Sequence, residues 1–260
     1  MIALMYHDVV ATDEADASGF PGRDAALYKV TPDLFEKHLE AVRRLFFTGG
    51  RGENDVPVFT FDDGGASAMV AADVLERYGF VGHFFMTTNY IGTRGFLGDG
   101  ALRALRGRGH VIGSHSCSHP LRIGHCAWPQ LLDEWTRSRS ILTDILGEDV
   151  QVASMPGGDF APQVAEAAAK AGFTRLFTSE PTREARHAFG LTLQGRFTIQ
   201  RWTTAETVAA LAAGDWIACA RQAVVWNAKK IGKRVGGARY LQVRRLLIGH
   251  GSEVQWGDRH

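Results

Sequence analysis

Cysteine is scarce in this chain of 260 residues, with only Cys117, Cys126 and Cys219. An odd number without dense spacing argues against a disulfide framework, and a small buried side chain is the ordinary role for each. A surplus of one charge is missing as well. Lys and Arg total 29 against 28 Asp and Glu, a balance that gives no global electrostatic case for a nucleic-acid partner. No run of about 20 apolar residues is present, so no helical membrane span is expected. The short apolar start, IALMYHDVV, lacks the basic flank of a secretory leader, and the cytoplasm is the default expectation. Repeats and low-complexity tracts are also lacking. What remains is an ordinary hydrophobic share of 45%, enough at this length to bury a core as one domain or one domain plus an appendage.

The apolar runs differ in kind along the chain. Residues 2–6 read as a buried strand, followed by a Gly/Asp-rich loop over 11–27. Thr31-Pro32 then opens a helix, because Thr caps well and Pro suits the first helical position. Phe35, Leu39, Val42 and Phe46 fall at helical spacing and should face the core. Further strands are expected over 56–61, 81–86, 110–113, 150–155 and 175–177, and helices over 68–78, 99–108, 129–146 and 162–171. In the 129–146 helix the core candidates are Leu132, Trp135, Ile141 and Ile145. Strands alternating with helices argue for a parallel sheet, with functional residues at the carboxyl ends of its strands. Periodicity alone does not separate a barrel from a doubly wound sheet.

Two short motifs stand at such strand ends. Residues 60–64 read TFDDG, and residues 114–121 read SHSCSHPL. Asp and His are ligands that a borderline divalent metal such as zinc accepts. One Asp and two His leave coordination positions open, where catalytic metals hold water, and the second carboxylate is then free to act as a base. Alone, an Asp-Asp pair after a strand is often a helix cap, and a His-x-x-x-His arises by chance in a chain with 10 histidines. Together the two motifs point to a metal site.

The ordered pair resembles the polysaccharide deacetylase family, carbohydrate esterase family 4, from about the first residue to about Arg201. The resemblance implies an α/β fold, a distorted (β/α)7 barrel over 1–201, with residues 202–260 as a basic helical C-terminal appendage. It implies Asp62 as general base and Asp63, His115 and His119 as ligands of one divalent metal, zinc being expected. Cys117 lies inside the histidine motif; as a family-variable position it is the lesser candidate for a ligand. The family's third motif, Arg-x-Pro-aromatic-Gly, aligns with SMPGG at 154–158, which keeps Pro156 and Gly158. Pro156 and Gly157 then form the oxyanion and substrate loop. Ser154 stands where the family has an arginine beside the base, so another cation must substitute or Asp62 stays a weaker acid. Asp159 comes immediately after, as a substrate contact or a loop-capping carboxylate.

For the general acid, residues 247–250, LIGH, match the family's late Leu-x-x-His superficially, but 238–248 reads as a basic helix. Permuted relatives, the biofilm poly-N-acetylglucosamine deacetylases, take their acid from an N-terminal Tyr-His motif. Residues 5–8 here are MYHD, and KVTPDLFEKHLEAV is also similar to those relatives. His7 is therefore preferred over His250.

The function implied is removal of N-acetyl groups from an N-acetylated sugar in a glycan, exopolysaccharide precursor or glycolipid. Alternatives are hydrolysis of an O-acetyl ester, a small amide or a cyclic imide on the same scaffold, or a catalytically inactive glycan-binding domain, for which only the altered third motif argues. From Trp216 to Ser252 there are eight Lys/Arg and no Asp or Glu, interleaved with apolar residues. Such a segment can lie on an anionic membrane surface or meet the phosphates of a lipid-linked sugar. It can equally pack its apolar stripe on the barrel and leave its charges in water.

Overall fold

The computed structural model describes residues 1–48 and 55–228. Strand β1 (Ala3–Tyr6) leads into a long loop with a short helix α1 (Arg23–Ala26), then helix α2 (Pro32–Arg43). Next come β2 (Val58–Phe61), α3 (Ala68–Arg77), β3 (Gly82–Met86), α4 (Asp99–Gly107), β4 (Val111–Ser114), α5 (Trp128–Leu146), β5 (Val152–Ser154), α6 (Pro162–Lys170) and β6 (Arg175–Phe177). Strands β7 (Ala185–Ala188), β8 (Leu191–Gln194) and β9 (Phe197–Thr198) precede helices α7 (Ala205–Ala212) and α8 (Trp216–Ala228).

Local chemistry sets the boundaries. Thr31 caps α2, its hydroxyl accepting the Leu34 N–H at 3.3 Å, with Pro32 at the first helical position. Phe35, Leu39, Val42 and Phe46 are all buried as their spacing predicts. Gly147, in the left-handed region at φ 70°, ends α5 with its N–H on the Thr143 carbonyl at 2.8 Å.

The strands form one curled, half-barrel sheet in the order β7-β8-β6-β5-β4-β3-β2-β1-β9. All pairs are parallel except β7–β8. Among the described residues the sheet thus has nine strands where the sequence pattern marks six and the family resemblance implies a seven-stranded barrel. The two-residue β9 is too short to carry a period, and β7, ARHA, has no apolar run. Alternation along each strand separates two faces. Leu4, Tyr6, Phe59, Phe61 and Phe84 join the core under the helices with Leu39, Leu75 and Trp135. On the opposite face Ala3, Phe85 and Phe177 make a second, small cluster, with Val58 and Val152 against it.

Helix α5 is turned by one residue from its expected phase. Its buried side chains are Leu131, Glu134, Trp135, Ser138 and Leu142, while Leu132, Ile141 and Ile145 are half-buried. One residue is about 100° of rotation, and polar contacts set it: Glu134 binds loop N–H groups after β4, and the Ser138 hydroxyl lies 2.6 Å from that of Ser114. Helices α7 and α8 form the appendage. Val208, Leu211 and Ala212 of α7 are buried, and buried His38 of α2 ties in the preceding loop through Nε2, 2.8 Å from the Thr203 carbonyl. The expected helix over 238–248, His250 and most of the basic segment lie outside the described residues.

Candidate active site

The carboxyl end of β2 delivers the first motif. Asp62 donates its N–H to the Tyr6 carbonyl at 3.1 Å, extending the β1–β2 pairing by one residue. The chain then turns sharply. Asp63 lies at φ 75°, a left-handed backbone uncommon for a residue with a side chain, and its carbonyl accepts the Thr87 N–H at 3.2 Å. Gly64 is next, at φ 85°, where a β-carbon would stand 2.8 Å from the Met86 sulfur, so the glycine is required twice over.

The second motif leaves β4 in the same way. The His115 N–H donates to the Met86 carbonyl at 2.7 Å, while Ser116 and His119 take φ 65° and 57°. Glu134 folds this loop: its carboxylate accepts the N–H groups of Cys117 at 2.8 Å and Ser118 at 2.9 Å. Both imidazoles thereby converge on one carboxylate oxygen. Nε2 of His115 is 3.5 Å and Nε2 of His119 is 3.6 Å from Asp63 Oδ1. All three donor atoms lie within 4.8 Å of one another, the one such group of three among the described residues.

This trio fits a divalent cation. Asp63 Oδ1 is buried without a hydrogen-bond donor, an arrangement that is costly for a carboxylate lacking a partner. Burial pushes the Asp63 carboxyl up to about 7, against the pull of His7. Burial also pushes His115 down to about 3 and lowers His119, leaving neutral imidazoles with lone pairs to offer. Nδ1 of His115 faces the carbonyl and hydroxyl oxygens of Ser154, at 3.1 and 2.5 Å, so Nε2 is the free donor. One carboxylate and two imidazoles suit zinc. Cys117 is not part of the trio: its sulfur accepts from the Thr88 hydroxyl at 3.3 Å, and burial pushes the thiol up.

Asp62 has the opposite electrostatics. Burial by itself would raise its pKa, but Arg196, with His115 and His7, more than reverses that and holds the carboxyl well below the usual range. The guanidinium donates through Nη1 to Oδ1 and through Nη2 to Oδ2, both at 2.7 Å. Nη1 also reaches the Thr60 hydroxyl at 3.1 Å and Nε the Thr178 carbonyl at 3.1 Å. Arg196 is wholly buried, its guanidinium 5.8 Å from the Phe85 ring centre and 6.0 Å from that of Phe177. It supplies the cation that Ser154 lacks. Ser154 instead donates its hydroxyl to Asp62 Oδ1 at 2.9 Å, linking the base candidate to His115. Neither Arg196 nor Glu134 belongs to a pattern that sequence reasoning could have found.

His7 leaves the end of β1, its ring 4.9 Å from that of Tyr28 and its Nδ1 buried without a hydrogen-bond partner. It is close enough to both Asp62 and Asp63 to pull their pKa values down. Pro156 is buried, and Gly157 explains the lost aromatic of the third motif. It sits at φ 67°, and a β-carbon would fall 2.8 Å from the Leu121 carbonyl. Asp159 is a loop-bracing carboxylate, its Oδ2 3.6 Å from His125 Nε2 and 3.9 Å from Arg122 Nε.

The loop after β1 is locked to the TFDDG turn by a buried polar knot. Lys29 Nζ donates to the carbonyls of Ala15, Ser18 and Phe20 at 2.6, 2.5 and 2.8 Å and stands 3.6 Å from Asp8 Oδ2. Asp8 Oδ1 accepts from Ser18 and Ser67 at 2.5 and 2.8 Å. This places the Phe20 ring 5.0 Å from that of His119, beside Tyr90 and Phe96.

The chain is similar in sequence and fold to several known proteins. A sequence model described as Polysaccharide deacetylase matches residues 49–176. The chain is 26% identical over 161 residues to YxkH of Bacillus subtilis (strain 168), classed by name as a polysaccharide deacetylase. The match covers 62% of this chain and 55% of that protein, so the chain spans about half the length of its curated relative. Among solved structures, the Streptococcus pyogenes deacetylase PplD, in complex with acetate, is 20% identical with a TM-score of 0.60, over 79% of this chain and 95% of that one. IcaB from Ammonifex degensii is also 20% identical, with a TM-score of 0.63 over 81% and 96% of the two chains. At these identities the likeness is one of fold, and it bears out the deacetylase-type barrel.

Proposed function

We propose that this chain, which the sequence-model match and the structural neighbours support as a member of the polysaccharide deacetylase family, is a metal-dependent hydrolase that removes N-acetyl groups from an N-acetylated sugar. One observation carries the reading. Two adjacent carboxylates are driven apart, Asp62 ion-paired and charged, Asp63 buried against two neutral imidazoles. Such a split assigns neighbouring groups to different tasks. Asp63, His115 and His119 would hold the ion. A divalent metal bound there polarises an acyl carbonyl and acidifies water, the help that an unreactive amide needs.

The chain's own residues do the rest. Asp62, kept ionised by Arg196, takes a proton from the attacking water. Arg196 and Ser154 fix its carboxylate, so little orientation remains to be found in the transition state. In the substrate loop at Pro156 and Gly157, the Gly157 backbone N–H is the oxyanion donor. His7, in the place of the N-terminal Tyr-His motif of permuted relatives, gives a proton to the departing nitrogen. Water adds to the carbonyl carbon, the C–N bond breaks, and acetic acid and a free amine result. Acetate, the ligand in the streptococcal neighbour, is the acid that such a reaction releases.

Acetate release by the zinc-loaded protein, measured on N-acetylated sugars, O-acetylated sugars and cyclic imides, tests this reading. N-acetylated sugars should be turned over best, and Asp62→Asn should abolish turnover while keeping the metal. Preference for esters or imides would reassign the bond cleaved. A turnover equal to wild type in Asp62→Asn would remove the base from the scheme.

A further inference from the structure

Helix α8 is apolar on the side that faces away from the protein. Its rotation is fixed by Gln222, which donates to the Thr198 carbonyl at 2.7 Å and accepts the Thr198 N–H at 3.0 Å. Ala218 and Cys219 pack on the core from the same side. At about 100° per residue, Trp216, Ile217, Ala220 and Val224 lie roughly 120° to 160° from Gln222 around the axis, pointing outward, with Asn227 the one polar side chain among them. Trp216 is 73% exposed, Val224 67% and Ile217 44%. A surface helix normally turns such residues inward and polar ones outward; here large apolar side chains line the outer face.

Charge indicates what meets this face. Arg221 is exposed on α8, and the sequence beyond the helix holds Lys229, Lys230, Lys233, Arg234, Arg239, Arg244 and Arg245, with no acidic residue before Glu253. Tryptophan beside aliphatic side chains, followed along the chain by cations with Asp215 at the helix start as the one nearby carboxylate, suits the boundary between acyl chains and anionic headgroups. No single described helix is long and apolar enough to cross a membrane; α7 and α8 reach that length and composition only together, across a 101° bend, and α7 buries Val208, Leu211 and Ala212 in the core, which favours lying on a bilayer over spanning it. We propose that the outer face of α8 docks the protein flat on an anionic lipid bilayer. The docking is independent of the catalytic reading.

The test is co-sedimentation of the full chain with vesicles of phosphatidylglycerol and phosphatidylcholine, against phosphatidylcholine alone, at low and high salt. Binding is expected with the anionic vesicles at low salt, falling as salt screens the cations, together with a blue shift of tryptophan emission. The triple variant Trp216→Ser, Ile217→Ser, Val224→Ser should bind at least ~10-fold more weakly, since it removes the inserting apolar groups. Arg221→Glu should weaken binding while leaving the apolar face whole, and neither variant should alter acetate release. No binding of wild type to anionic vesicles at low salt overturns the proposal, as does equal binding by the triple variant. A dimer that the triple variant dissolves, without vesicle binding, would assign the face to a second copy instead. A monomer with shielded Trp216 and no vesicle binding would assign it to the chain's own last residues.

Discussion

Arg196 and Asp62, 134 residues apart in sequence, form a two-pronged ion pair in the curled sheet, with both N–O distances at 2.7 Å. The pair keeps Asp62 charged despite its burial, the state in which a carboxylate can accept a proton. A folded-state pKa below the unfolded value stabilises the fold at pH above about 4, and that contribution is lost as pH falls toward the folded value.

Arg196→Met should therefore do two things. Removing one partner of a buried pair destabilises by about 3–5 kcal/mol, readable from urea unfolding near neutral pH. The acidic limb of the kcat/KM profile should also move to higher pH, because Asp62 loses the cation that lowers its pKa. Arg196→Lys should not restore the profile, since an ammonium cannot make the paired contact. An unmoved acidic limb in Arg196→Met would show that the arginine is structural only.

Metal content is the second measurement. Wild type should bind one zinc per chain, and His115→Ala should lower both stoichiometry and affinity. Chelation should lower the unfolding temperature of wild type more than that of the variant, since a ligand that binds only the folded state stabilises it. Equal, tight binding by both proteins would sink the Asp63, His115, His119 assignment.

The third prediction separates His7 from His250. Loss of a general acid costs about two to four powers of ten in rate, and most for an amide, whose nitrogen must be protonated to leave. His7→Ala should suffer that loss on N-acetyl substrates and a smaller one on an activated acetyl ester, with His250→Ala near wild type on both. Wild-type amide turnover in His7→Ala would refute the role, and an inactive His250→Ala would return it to the late motif.

Lys29 offers a purely structural test. Lys29→Met strands Asp8 as a buried carboxylate, so the cost should be about 3–5 kcal/mol by urea unfolding. Asp8→Asn in the same chain should recover part of it by removing the stranded charge. Additive losses in the double variant would mean that the two groups do not act as a pair.

The sequence by itself determined the parts of the site that are local. An apolar run ending in two carboxylates, and another ending in His-x-x-x-His, each carry their geometry within a few residues, because parallel strands deliver the residues at their carboxyl ends to one rim of the sheet. The Thr31-Pro32 start of α2 and its buried face were legible for the same reason. The tertiary structure alone decided the remainder. Arg196 stands in a short connection between β8 and β9, and only the curl of the sheet brings it to Asp62. Glu134 reads as an ordinary polar position on α5 until it is seen binding the Cys117 and Ser118 N–H groups, which also explains why that helix is turned by one residue. Likewise, composition left open which way the apolar residues of α8 face, and the Gln222–Thr198 contact turned them outward. Periodicity reports which side of one element prefers burial; contacts across distant segments decide what that side meets.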